Sequence, residues 1–319
     1  MMMCVHSGEA MVLSRGARWA AGAMTAVCML LLLGSSAPGG GARLARPLPF
    51  GVPAQAVADR VATWNLCNPC GGIGHDFGRA TEIARSAPQV IGLQEACVRD
   101  VEEIRTYLEE VYGLVYRVAY GSVLRSWNRC GGLPWRPGGF GQAILSAAPM
   151  TDRVNAEYPD GGSEDRGYLA VTTLVGGRPV RVFTTHLAER RQPQARAAQV
   201  RVLAAEVARH DRAIVLGDFN AVPDAPELAP MWPLAPDTDP ACRPAPPGTA
   251  TATGTATDVG TCPATTDWNL TFDYVFLRGI TPRAHHVRPS GYSDHHLVSA
   301  DLDRGRHASV PCPLWSRCR

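Results

Sequence analysis

The chain has 319 residues, of which 45% are hydrophobic and 19% charged, enough apolar material for a packed core and too much for a disordered chain. A net charge of +2, from 31 basic and 29 acidic residues, excludes a globally basic nucleic-acid-coating protein. All the basic residues are Arg, so phosphate-loop motifs and Schiff-base chemistry that need Lys are excluded as well.

In chain order, the first feature is Arg15 and Arg18 ahead of an apolar run over 19–33, followed by small residues up to Ala37. This is the layout of a cleaved secretory signal peptide over 1–37, and the run is too short for a comfortable membrane span. An uncleaved N-terminal anchor is the alternative. A Gly-, Pro- and Ala-rich lead-in covers 38–56. From there short β-branched runs predict strands over 61–64, 90–93, 143–145, 169–174, 180–184, 213–216, 272–277 and 297–300. Helices are predicted over 77–86, 100–111 and 194–209, the second with Asp100 as its N-cap. Strands mixed with helices argue for an α/β domain of layered sheets over 57–305, with a disulfide-containing tail over 306–319. Removal of 1–37 leaves Cys67, Cys70, Cys97, Cys130, Cys242, Cys262, Cys312 and Cys318. An even number in an exported chain reads as four disulfides, with 105 connectivities open. Cys242–Cys262 and Cys312–Cys318 are favoured as local closures, the other four pairing among themselves. A redox or zinc half-site at Cys67-x-x-Cys70 is the weaker alternative, since no second such pair occurs.

Polar residues stand at the ends of these strands. Asn65 follows the first, Gln94-Glu95 the second and His186 the fifth. Asp218 and Asn220 follow the sixth, Asp273 lies near the start of the seventh, and Asp294-His295 precedes the last. Strand ends are rigid yet open to ligand, which is where α/β folds build their sites. Each residue alone has a plainer reading as a turn former, a cap or a satisfied structural group. Together, carboxylates, amides and imidazoles without a nucleophilic Ser or Cys signature describe metal-assisted hydrolysis. The oxygen donors suit Mg²⁺ first, with Mn²⁺ or Ca²⁺ as the other candidates, better than Zn²⁺.

Thr63-Trp64-Asn65, Leu93-Gln94-Glu95, Thr185-His186-Leu187, Gly217-Asp218-Phe219-Asn220, Phe272-Asp273-Tyr274 and Ser293-Asp294-His295 occur in this order. The set closely resembles the endonuclease/exonuclease/phosphatase superfamily, which includes deoxyribonucleases, neutral sphingomyelinases and inositol polyphosphate 5-phosphatases. The resemblance implies a four-layered α/β sandwich, two packed mixed β-sheets flanked by helices, that cleaves a phosphate ester with a divalent metal. It implies Glu95 as principal metal ligand, with Asn65 and Asp294 also at the metal. It implies His295 as general base, oriented by Asp273, and Asp218 and Asn220 as the pair that positions nucleophile and phosphate. His186 would stabilise charge on the phosphate or leaving group.

One departure stands out. The nucleases give the counterpart of His186 an acidic partner from the preceding loop region, yet residues 111–151 hold no Asp or Glu. Either Glu164 or Asp165 takes that role, or His186 works differently. The same stretch interleaves Arg117, Arg125, Arg129 and Arg136 with Trp127, Trp135 and Phe140. Arg129, Trp127, Trp135 and, near the site, Arg166 are therefore candidate substrate contacts, to nucleic acid or to a phospholipid headgroup. A solvated loop tied down by Cys130 is the plainer alternative. The chain is expected to be a secreted, monomeric phosphodiesterase, nuclease-like. A sphingomyelinase-like lipid phosphodiesterase and a catalytically silent binding module on the same scaffold are the competing readings.

Overall fold

A computed structural model describes residues 52–53, 55–68, 70, 74–133, 135–244 and 262–303. The expected signal peptide, most of the lead-in, the tail and the Cys312–Cys318 pair lie outside them. The chain forms β1 (Val57–Asn65), α1 (His75–Ser86), β2 (Pro88–Cys97), α2 (Val98–Glu110), β3 (Arg117–Arg125) and α3 (Trp127–Cys130). A small hairpin, β4 (Gly132–Leu133) and β5 (Arg136–Pro137), leads to β6 (Gly139–Ser146), β7 (Thr151–Glu157), β8 (Gly167–Val175) and β9 (Arg178–His186). Then come α4 (Pro193–Ala208), β10 (Ala213–Asp218), α5 (Met231–Leu234), β11 (Asp273–Arg278), β12 (Pro282–Arg288) and β13 (Leu297–Leu302).

The strands make one sheet of order β12-β13-β1-β2-β6-β3 and a second of order β11-β10-β9-β8-β7. Each is mixed: β1 pairs parallel with β2 and antiparallel with β13, while β10 pairs parallel with β9 and antiparallel with β11. Both faces of the central strands are apolar, and the period of two sorts them. Val61, Val90, Ile144, Val171, Val182, Ile214, Leu216, Val275 and Val298 fill the layer between the sheets. Ala62, Trp64, Ile91, Leu93 and Leu145 point the other way, onto Ile83 of α1 and Val101, Ile104 and Leu108 of α2. Ala170, Phe183, Val215 and Phe276 take the outer face of the second sheet under Val200, Leu203 and Val207 of α4 and Met231 and Trp232 of α5. Helix, sheet, sheet, helix is the expected four-layered α/β sandwich.

The sheets approach closely near the site. A Cβ built on Gly92 would lie 2.7 Å from Thr184 Oγ1 and 3.0 Å from Leu216 Cβ, so only glycine leaves room there. Just beyond it the interlayer turns polar: Gln94 Nε2 donates to Thr184 Oγ1 at 2.8 Å and to Thr63 Oγ1 at 3.0 Å. The first of these buried bonds joins the two sheets, and together they mark where core ends and site begins.

Some sequence expectations need correction. Asp100 is not the N-cap of α2: the chain runs from β2 into the helix without a loop, Cys97 takes the cap position and Asp100 lies in the first turn. Strands β3, β7 and β12 were not predicted. All three are sheet edges. An edge strand need not bury both faces, and β7, with mostly exposed residues over Thr151–Glu157, carries no apolar signal. Of the disulfides, Cys242–Cys262 forms as favoured. The zinc half-site gives way to a Cys67–Cys70 bridge, and Cys97 pairs with Cys130. Among the described residues no helix is long and apolar enough to cross a membrane.

Candidate active site

Asn65, Glu95, His186, Asp218 and Asp273 lie at the same ends of β1, β2, β9, β10 and β11. Register explains this: Asn65 pairs with Gln94, Asp218 with His186 on one side and with Asp273 on the other. Two backbone irregularities adjust the aim. The β2–β6 ladder shifts register between Leu93 and Ala96, with Glu95 at φ 50°. Asn220 also has φ 50°, just past the end of β10. Left-handed backbone at non-glycine residues is costly, and its concentration here is typical of functional sites. The loop carrying His295 is held by Trp64 Nε1, which donates to His295 O at 2.9 Å, and by Ser293 Oγ, which donates to Asn65 O at 2.7 Å.

At one corner His295 Nδ1 lies 2.8 Å from Asp273 Oδ2. Thr265 Oγ1 donates to the same oxygen at 2.7 Å and receives the Phe272 and Asp273 N–H groups. His295 Nε2 lies 3.7 Å from Asp218 Oδ2. Burial alone would lower the proton affinity of His295, but the Asp273, Asp218 and Asp294 carboxylates override it and raise the pKa to about 10. The Trp268 ring stands edge-on to the imidazole, with centroids 5.4 Å apart.

At the other corner the imidazole of His186 places Nε2 3.3 Å from Asp218 Oδ2, 4.0 Å from Glu95 Oε1 and 3.0 Å from Asn220 Nδ2. Its Nδ1 meets Arg166 Nη1 at 2.7 Å. Burial, and then the Arg166 charge, hold this ring well below the ordinary imidazole range. Neither Glu164 nor Asp165 is its partner. Glu164 binds Arg166 Nη2 at 2.8 Å and Arg129 Nη2 at 2.6 Å, one residue removed from the ring.

Between the corners Asn65 Nδ2 donates to Asp218 Oδ2 at 2.9 Å and to Glu95 Oε1 at 3.3 Å, while Asn65 Oδ1 accepts the Cys67 N–H at 2.9 Å. Asn65 thus turns its NH₂ toward the carboxylates, and ligation of a cation through its oxygen requires the amide to turn over. Burial pushes both Glu95 and Asp218 up from the usual carboxylate range. Asp273 Oδ1 is buried without a hydrogen bond. Ligand atoms of Asp218, Asp273 and His295 fall within 4.8 Å of one another. Crowded, desolvated carboxylates with an orphaned oxygen fit a hard divalent cation, which would relieve their repulsion. Asp294 sits further out: its carboxylate lies within 4.8 Å of the Cys67 and Cys70 sulfurs.

The substrate candidates divide. Arg166 is buried behind His186, and Arg129 is paired with Glu164, its guanidinium 4.6 Å from the Phe140 ring centroid. Trp135 is 80% exposed next to the short β4–β5 hairpin. Trp127 begins α3, and its side chain lies outside the described residues. Thr265 and Trp268 carry no sequence signal of their own; only the fold brings them to Asp273 and His295.

A four-layered sandwich with carboxylates, amides and two histidines converging at its strand ends defines a metal-dependent hydrolase of phosphate esters. Residues 62–295 match the Endonuclease/Exonuclease/phosphatase family, and the chain belongs to it. The fold is similar to an endonuclease/exonuclease/phosphatase from Bacteroides vulgatus, at 15% identity and TM-score 0.58, covering 76% of this chain and 98% of that one. It is similar to humanized D. rerio TDP2, at 18% identity and TM-score 0.55, covering 76% and 98%. The human nocturnin catalytic domain with bound sulfate matches at 20% identity and TM-score 0.54, covering 76% and 92%. No curated protein matches the sequence.

Proposed function

We propose that this chain is a secreted, Mg²⁺-dependent phosphodiesterase of nuclease-like type, in which the Asp273–His295 pair activates water. The observation that carries the reading is the 2.8 Å contact of His295 Nδ1 with Asp273, which leaves Nε2 facing the site beside Asp218. A carboxylate on Nδ1 fixes the tautomer that accepts at Nε2 and stabilises the imidazolium formed when a water proton arrives. Glu95 would hold the cation, with Asp294 and a turned Asn65 as further ligands, and the cation supplies charge neutralisation to the phosphate oxygens. A bound cation would cancel part of the carboxylate charge that raises the His295 pKa. Asp218 and Asn220 orient the attacking water and the phosphate. His186 donates from Nε2 to the charge that develops in the transition state. Export is supported by the N-terminal pattern over 1–37 and by the Cys67–Cys70, Cys97–Cys130 and Cys242–Cys262 bridges.

The test is nicking of supercoiled plasmid in Mg²⁺, in Mn²⁺, in Ca²⁺ and in chelator. Turnover that needs the cation, and substrate binding that weakens steeply with salt, support the reading. Wild-type protein no faster than His295→Ala in every cation sinks it. One observation favours a second substrate. Leu133 and Trp135 are 50% and 80% exposed, beside the exposed Arg136, and such a tip also suits a phospholipid surface. Hydrolysis of sphingomyelin in vesicles but not of plasmid would select it.

A further inference from the structure

Behind His186 runs a row of charges, buried at Arg166 and half-buried at Glu164 and Arg129, that the hydrolytic scheme leaves without a task. Arg166, just ahead of β8, has a side chain only 6% exposed. Its Nη1 faces His186 Nδ1 at 2.7 Å and its Nη2 is held by Glu164 at 2.8 Å. Glu164 is held in turn by Arg129 at 2.6 Å, and Arg129 belongs to α3, which the Cys97–Cys130 bridge fastens two residues beyond Glu95. Arg166 Nε has no hydrogen-bond partner among the described residues. Glu164 Oε2 likewise has no hydrogen bond among them, so its contact with Nη2 is an ion pair, and the hydrogen bond that orients the guanidinium is that of Nη1 to the imidazole.

A guanidinium offers only N–H donors and stays charged wherever the protein is folded. The ring nitrogen facing it must present a lone pair, so Nδ1 is the bare nitrogen of His186 and the hydrogen is on Nε2. Among the described residues that hydrogen has Asp218 Oδ2 in reach as an acceptor, at 3.3 Å. Asn220 Nδ2 also faces Nε2, at 3.0 Å, and gives a hydrogen to Leu187 O at 3.1 Å, but an amide can turn its oxygen toward Nε2, whereas a guanidinium has no acceptor to turn toward Nδ1. An acidic partner on Nδ1 would do the opposite, drawing the hydrogen to Nδ1 or making the ring a cation. Here one carboxylate serves two guanidinium groups, so the trio leaves net positive charge behind a neutral ring. A cation donating to Nδ1 withdraws electron density and strengthens Nε2–H as a donor.

We infer that Arg166 is the positioning residue for His186: held by the Glu164–Arg129 pair, it fixes a neutral imidazole with its hydrogen on Nε2, aimed into the site as a fixed donor. The inference rests on the phosphodiesterase reading for its consequence in turnover, but the tautomer can be measured without turnover. Ring-nitrogen NMR on ¹⁵N-labelled protein at neutral pH, with the signal identified by its loss in His186→Gln, should show the Nε2–H form in the wild type. Arg166→Gln should shift the ring to a mixture of tautomers. It should also lower kcat roughly 10- to 100-fold with KM little changed. Arg166→Lys, which still only donates, should keep the tautomer and recover part of kcat. If Arg166→Gln does not fold, the wild-type and Arg166→Lys spectra decide the matter. A hydrogen on Nδ1, or a doubly protonated ring, in the wild type overturns the inference, as do wild-type tautomer and kcat in Arg166→Gln. Wild-type protein that shows the Nε2–H form but hydrolyses no phosphodiester overturns the functional reading instead.

Discussion

Two histidines face Asp218 from opposite corners, equally buried and oppositely disposed. His295 has carboxylates around it and holds its proton up to about 10; His186 has Arg166 at its back and is held well below the usual range. Burial pushes both in the same direction, so the neighbouring charge decides the sign. In the proposed scheme one fold thereby furnishes a proton acceptor and a fixed donor from the same residue type, and pairs of groups whose environments separate their proton affinities mark acid–base sites.

The most direct way to break this contrast is His295→Ala. Loss of a general base costs roughly 10²- to 10⁴-fold in turnover, and His186→Ala, which removes a donor, should cost less. Equal losses in steady-state kcat would erase the distinction. Asp273→Asn should lower kcat about 100-fold while leaving substrate affinity near wild type, because the dyad loses its anion and its preferred tautomer. Wild-type rates would remove Asp273 from the mechanism. A third test reads stability in chelator. The folded pKa of His295 near 10 exceeds the unfolded value of 6.5, so its contribution is complete below pH 6.5 and is lost as pH rises toward 10. Wild-type protein should lose on the order of 5 kcal/mol over that window by urea titration, at about 1.4 kcal/mol per pH unit. His295→Ala should lose less; parallel curves would contradict the assignment. Smallest in chemical effect is Gly92→Ala. The added methyl meets Thr184, two residues before His186, and should cost about 1–3 kcal/mol through overpacking. Its kcat should fall a few-fold at most, because the His295 corner is untouched.

Much of this was legible from residue order. Central strands bury both faces, so Val90-Ile91-Gly92-Leu93 and Ala213-Ile214-Val215-Leu216 announce themselves as apolar runs, each ending at a site residue. The edge strands β3, β7 and β12 leave many positions exposed or half-buried and carry no such signal, which is why they came only with the fold. The acid-free stretch over 111–151 leaves the partner of His186 open, and no local pattern could name Arg166, 20 positions upstream and just ahead of the neighbouring strand β8.

The sequence by itself determined the layered α/β class, the order of the site residues and the Cys242–Cys262 closure, because these depend on periodicity, strand-end position and short spacing. Only the tertiary structure decided that Asn65 turns its NH₂ to the carboxylates and that Thr265 braces Asp273. It alone also decided that a guanidinium rather than a carboxylate stands behind His186. These are contacts between residues far apart in the chain, set by sheet register and by the spacing of two packed sheets, and the proton affinity of each histidine follows from them rather than from its own surroundings in the sequence.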